Sequence, residues 1–188
     1  MNLPNKLTIL RVILVPFFVF FMLTDFIPFS KIIALVIFIA ASVTDALDGH
    51  IARSRNLVTT FGKFLDPLAD KVLVISALIC MTELGLVGAV PVIIIVAREF
   101  MVSGLRLVTA NEGVVVAAGI WGKLKTAFTM IAIVVIMVGM CIGFEPGTTG
   151  AAVMNIANQT LIWIATALTV ISGGIYLKGY WKYIDSSK

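Results

Sequence analysis

The residues best suited to chemistry lie between Asp45 and Lys71, in the run DALDGHIARSRNLVTTFGKFLDPLADK. It holds Asp45, Asp48, Asp66 and Asp70, in a 188-residue chain that is 60% apolar and has a mean hydropathy of +1.09. On an α-helix, residues three or four apart share a face. Asp45, Asp48, Gly49 and Ala52 therefore form one stripe, and Gly62, Asp66 and Asp70 another. Each uncompensated carboxylate at the centre of a membrane helix costs roughly 2.5–3.5 kcal/mol. If two such helices face each other across a short turn, four carboxylates converge, and their mutual repulsion needs compensation. A divalent cation supplies it, and all-oxygen ligation favours Mg2+, Mn2+ or Ca2+ over zinc.

The pattern Asp45-x2-Asp48-Gly49-x2-Ala52-Arg53, eight residues, then Gly62-x3-Asp66-x3-Asp70 resembles the signature of the CDP-alcohol phosphotransferase family, with no departure in type or spacing. The resemblance implies an all-α, polytopic membrane protein with six transmembrane helices, working as a homodimer on CDP-diacylglycerol. It implies Asp45, Asp48 and Asp66 as the principal ligands of two Mg2+ ions, with Mn2+ as an alternative. Asp70 would complete the metal site and act as general base. Gly49 and Gly62 each cost about 1 kcal/mol relative to alanine inside a helix. The family reading gives them, with Ala52, the role of letting the nucleotide approach the backbone, and helix packing is the alternative. Arg53 pairs with donor phosphate or else anchors the chain at the membrane surface.

The acceptor is read from other basic residues. The segment AREFMVSGLRL supplies Arg98 and Arg106, and GKLKT supplies Lys123 and Lys125. An acceptor carrying its own phosphate needs a second cationic pocket, whereas choline, serine or plain inositol does not. Both segments, and the opening PNKLTILR with Asn5, Thr8 and Arg11, resemble the bacterial phosphatidylglycerophosphate-synthase branch of the family. That likeness implies glycerol 3-phosphate as acceptor, its phosphate held by Arg98, Arg106, Lys123 and Lys125, with Asn5 and Thr8 on the donor. Inositol phosphate is the nearest rival acceptor. An ion-coupled transporter using the same acids would need them nearer the bilayer midplane, usually with repeats or interrupted helices. Glu99 either orients Arg98 or is a solvated helix-end charge.

Helices must position these groups. Six apolar runs near the ~20 residues that span hydrocarbon are expected at 7–24, 31–54, 61–84, 87–110, 120–143 and 153–176. They form one integral membrane domain over 1–188, with a short interfacial segment at about 1–6 that Pro4 suits. With the N-terminus inside, Lys31 is the lone basic residue outside among 14, so the positive-inside rule makes both termini cytoplasmic, and the family resemblance implies a bacterial inner membrane. Asp45 lies eight residues before Arg53 and Asp70 seven after Lys63, roughly 10–12 Å from the cytoplasmic turn at 1.5 Å per residue. A site at that depth takes a water-soluble reactant from the cytosol and a lipid from the membrane. The net charge of +4 reflects this topology, and nucleic acid is a poor explanation for it. Cys80 and Cys141 sit in apolar runs and read as small hydrophobes.

Overall fold

The computed structural model describes the backbone of residues 3–54, 60–111 and 119–181 and, within them, the side chains of residues 5–44, 65, 68–69, 71–109 and 119–181. The elements are α1 (Leu3–Leu23), α2 (Ser30–Ser54), α3 (Thr60–Glu83), α4 (Ala89–Asn111), α5 (Ile120–Ile142) and α6 (Thr149–Tyr180). The four middle helices start and end within two residues of the expected spans. α1 begins earlier, at Leu3. Pro4 falls in its first turn, where backbone N–H groups have no helical acceptor and a missing donor costs nothing. α6 extends four residues beyond each expected end. Its start is set by Thr148, whose hydroxyl accepts from the Ala151 N–H at 3.2 Å, the N-cap arrangement.

Among the described residues, Asn5–Leu23, Ile120–Ile142 and Thr149–Tyr180 are long and apolar enough to cross a membrane, and Ser30–Thr44 is a shorter apolar run. Phe17, Val36, Ile93, Ile131 and Ile156 are exposed, a surface suited to hydrocarbon. Several buried threonine hydroxyls bond their own helix. Thr109, Thr129, Thr166 and Thr169 each donate to the carbonyl four residues back, which satisfies them without water.

The chain divides into two compact units: Met1–Leu84 with Val134–Glu145, and Gly85–Ile133 with Pro146–Lys188. In the first, α1 packs against both α2 and α3, which also meet each other. The buried positions recur at helical spacing: Thr8, Arg11, Val15, Phe18 and Met22 on α1; Ala34, Phe38 and Ala41 on α2; Ala69, Leu73 and Ala77 on α3. Phe18 meets Phe38 with ring centroids 5.8 Å apart, and the alanines beside them allow close helix approach. The α1–α2 turn is fixed by polar contacts. The Ser30 hydroxyl donates to the Thr24 carbonyl at 2.6 Å, and Lys31 Nζ donates to the Met22 carbonyl at 2.7 Å while pairing with Asp25 at 2.8 Å. These contacts satisfy carbonyls that the end of α1 leaves open.

In the second unit α4 packs on α6. Ile95, Arg98, Val102, Leu105 and Thr109 form the buried stripe of α4, and Ile162, Ala165, Thr169, Ser172 and Tyr176 that of α6. α5 contributes Lys125, Thr129, Ala132 and Ile133 as buried residues. Gly85 follows α3 and Gly143 follows α5 with φ of +69° and +68°, the left-handed conformation that closes a helix and that glycine adopts without strain.

Candidate active site

The buried stripe of α2 at 34, 38 and 41 continues with the same interval through 45, 48 and 52, the positions of Asp45, Asp48 and Ala52. On α3, positions 62, 66 and 70 lead into the stripe that continues at Leu73 and Ala77. By register, the acidic positions thus extend faces that these helices already use for packing. The side chains of Asp45, Asp48, Ala52, Arg53, Asp66 and Asp70, and the surroundings of Gly49 and Gly62, lie outside the described residues.

What is described is α1, which packs against α2 and α3. α1 and α2 are joined by residues 24–29 and pack together, so they run antiparallel and the start of α1 lies beside the end of α2. α3 begins six residues after α2 ends. At that end α1 changes character. Its buried stripe is apolar from Val15 to Met22 but polar at Asn5, Thr8 and Arg11, with Arg11 at 0% exposure. All three are engaged in a polar or electrostatic interaction. A guanidinium with no exposed surface requires anionic or hydrogen-bonding compensation. Asp45, Asp48, Asp66 and Asp70 are carboxylates, the kind of oxygen ligand that a hard divalent cation takes.

The second unit carries a cationic cluster. Glu99 Oε1 accepts from Lys125 Nζ at 2.5 Å and from Arg98 Nη1 at 2.9 Å, so Glu99 orients Arg98 and is not a freely solvated charge. Arg98 Nη2 donates to the Ser172 hydroxyl, and its Nε is a buried donor with no hydrogen-bond acceptor among the described residues. The Arg98 stem lies against Gly173, where an added Cβ would come within 3.0 Å of Cγ. Arg106 is exposed on α4, and its Nη2 donates to the Tyr176 hydroxyl at 3.3 Å. Both guanidinium carbons stand near the Tyr176 ring centroid, at 5.7 Å for Arg98 and 5.5 Å for Arg106, within cation–π range. Three cations against one carboxylate leave a positive surplus, which favours an anion. The four expected residues therefore separate. Arg98, Lys125 and Arg106 share one connected group, whereas Lys123 is exposed on α5 and is not joined to that group by any described contact.

Comparison with known proteins agrees with the signature. Residues 1–171 match the CDP-alcohol phosphatidyltransferase family. The chain belongs to that family. Relatives extend the likeness to full length. A Bacillus subtilis protein named CDP-diacylglycerol–glycerol-3-phosphate 3-phosphatidyltransferase is 42% identical, the alignment covering 99% of this chain and 98% of that one. Proteins of the same name from Rickettsia bellii and Haemophilus influenzae are each 39% identical, covering 97% and 94% of this chain and 97% and 92% of theirs. This CDP-alcohol phosphatidyltransferase is accordingly a membrane protein, of a family that generally uses divalent metal.

Two residues of the cationic group were not singled out in the sequence. Ser172 lies 74 residues from Arg98 and Tyr176 lies 70 from Arg106, and no local spacing relates such positions. The one available signal was the polar run of α6, where Thr166, Thr169, Ser172 and Tyr176 interrupt an apolar helix at helical spacing.

Proposed function

We propose that this protein transfers the phosphatidyl group of CDP-diacylglycerol to sn-glycerol 3-phosphate, giving phosphatidylglycerophosphate and CMP. It is an integral membrane CDP-diacylglycerol–glycerol-3-phosphate 3-phosphatidyltransferase of phospholipid biosynthesis. The observation that carries the chemistry is the register of α2 and α3: the acidic signature continues their packing stripes at the end where α1 buries Asn5, Thr8 and Arg11. The choice of acceptor is supported by full-length relatives of that name and by the positive surplus around Glu99.

Asp45, Asp48, Asp66 and Asp70 hold the divalent cations, two Mg2+ in this reading. When bound, these neutralise diphosphate charge and ease departure of CMP. Asp70 removes the proton of the acceptor 1-hydroxyl. The freed oxygen attacks the lipid-side phosphorus, the new oxygen–phosphorus bond forms, and the bond to the CMP phosphate breaks with its electron pair on CMP. Asn5, Thr8 and Arg53 bind the donor, while Gly49, Ala52 and Gly62 leave room for its nucleotide beside the backbone. Arg98, Arg106 and Lys125, with Lys123 as an outer charge, hold the acceptor phosphate. All six helices cross the bilayer as one catalytic domain over 1–188. Both termini and the active site are on the cytoplasmic side of a bacterial membrane, and the protein acts as a homodimer, as the family resemblance implies.

The test is a panel assay. Purified protein with labelled CDP-diacylglycerol and Mg2+ is offered glycerol 3-phosphate, inositol phosphate, inositol, serine or glycerol, and lipid product and CMP are measured. Labelled phosphatidylglycerophosphate with stoichiometric CMP is expected. Preference for any other alcohol overturns the acceptor assignment, and absence of CMP release with every alcohol overturns the reaction.

A further inference from the structure

We propose that Tyr176, near the end of α6, is a positioning residue for acceptor binding: it holds the Arg106 guanidinium, and with it the cationic group that takes the acceptor phosphate. The proposal rests on the reading of that group given above.

Arg106 is a long, exposed side chain. Left to itself it samples many rotamers, and ordering it on binding weakens affinity. Tyr176 restrains it in two ways. Its hydroxyl accepts from Arg106 Nη2 at 3.3 Å, and its ring lies 5.5 Å from the guanidinium carbon. The same ring lies 5.7 Å from Arg98, so one electron-rich face system attracts two cations that repel each other. Tyr176 is itself firmly placed. It is buried, packs with Val102 and Leu105, and stacks on Tyr180 with centroids 6.4 Å apart. Its hydroxyl also accepts from the Gly119 N–H at 2.9 Å. At Gly122 an added Cβ would come within 3.2 Å of that hydroxyl and 3.3 Å of the ring edge, so the first turn of α5 rests directly on the ring. A rotamer chosen by α4, α5 and α6 together is thereby imposed on Arg106. Tyr176 takes no part in making or breaking bonds, so its loss acts on acceptor affinity and spares the transfer step.

The experiment uses the full-length enzyme in mixed micelles, varying glycerol 3-phosphate and CDP-diacylglycerol separately for Tyr176→Phe, Tyr176→Leu, Arg106→Ala and the Tyr176→Phe/Arg106→Ala double variant. Tyr176→Phe should raise the KM for glycerol 3-phosphate about threefold to tenfold, with Tyr176→Leu above that range. The kcat and the KM for CDP-diacylglycerol should stay within about twofold, and Tyr176→Phe should add less than about twofold once Arg106 is alanine. A fall in kcat together with a rise in both KM values, or an undiminished Tyr176→Phe effect in the Arg106→Ala background, overturns the positioning role. If Arg106→Ala raises the acceptor KM and Tyr176→Phe does not, the positioning role falls while the acceptor reading stands. If Arg106→Ala also leaves that KM unchanged, the acceptor reading falls first. Should Tyr176→Leu fail to fold, Tyr176→Phe, which keeps the ring, decides.

Discussion

Replacing Glu99 tests whether the cationic group is assembled as described. One carboxylate oxygen serves Lys125 at 2.5 Å and Arg98 at 2.9 Å. Glu99→Leu would leave two cations, at 3% and 9% exposure, without their common anion. Breaking a buried ion pair by removing one partner costs about 3–5 kcal/mol. The Glu99 side chain keeps 19% of its surface accessible and Arg98 keeps its bond to Ser172, so a loss of about 3 kcal/mol, the lower end, is expected. For a chain of this length that corresponds to a fall on the order of 6–12 °C in unfolding temperature. Thermal unfolding in detergent, followed by circular dichroism, measures it. Glu99→Gln should lose less, because an amide oxygen still accepts from both cations. Adding Lys125→Met to Glu99→Leu should recover part of the loss, since an apolar side chain replaces a stranded charge. An unfolding temperature for Glu99→Leu within about 2 °C of the parent, a shift worth roughly 1 kcal/mol or less, or strict additivity with Lys125→Met, would refute the bridge.

Three further outcomes are expected. Asp70→Asn should lower phosphatidyl transfer by about 10²–10⁴-fold, the usual contribution of a general base, while equilibrium binding of CDP-diacylglycerol persists; near-normal turnover would remove Asp70 from that role. A chelator should stop CMP release, and Mg2+ or Mn2+ should restore it where zinc does not; undiminished release in chelator contradicts the metal reading. Phe18→Ala should destabilise the protein by about 3 kcal/mol, because in lipid the transfer term is small but the cavity against Phe38 remains, as unfolding in detergent would register; a loss under ~1 kcal/mol would mean that the helices close the gap.

The parts legible in the sequence were those encoded locally. Apolar runs of membrane length placed all six helices, and the acid spacing from Asp45 to Asp70 placed the signature on α2 and α3. Boundaries missed where polar or small residues belong to the helix, as at Thr149 and at Lys178 to Tyr180 on α6. Roles depending on tertiary partners were not legible. Glu99 reads equally as solvated or as structural until Lys125, 26 residues away, is seen to reach it. Lys123 and Lys125 look alike in the sequence, yet two positions on a helix differ by about 200°, which leaves Lys125 buried and Lys123 exposed.

The same periodicity links packing to chemistry. In water a buried stripe is apolar because water expels it; in lipid that driving force is absent between helices, and packing and polar contacts select the partner face. α1 passes from Met22, Phe18 and Val15 to Arg11 and Thr8, and α4 carries Arg98 between Ile95 and Val102, without a change of interval. A polar group in such a stripe is fixed by the contacts that hold the helices together. The Arg98 stem shows the consequence: it fills the notch at Gly173 while its guanidinium engages Glu99 and Ser172. An arginine held at both its stem and its head has few rotamers left to lose on meeting an anion, so preorganisation here follows from helix packing itself.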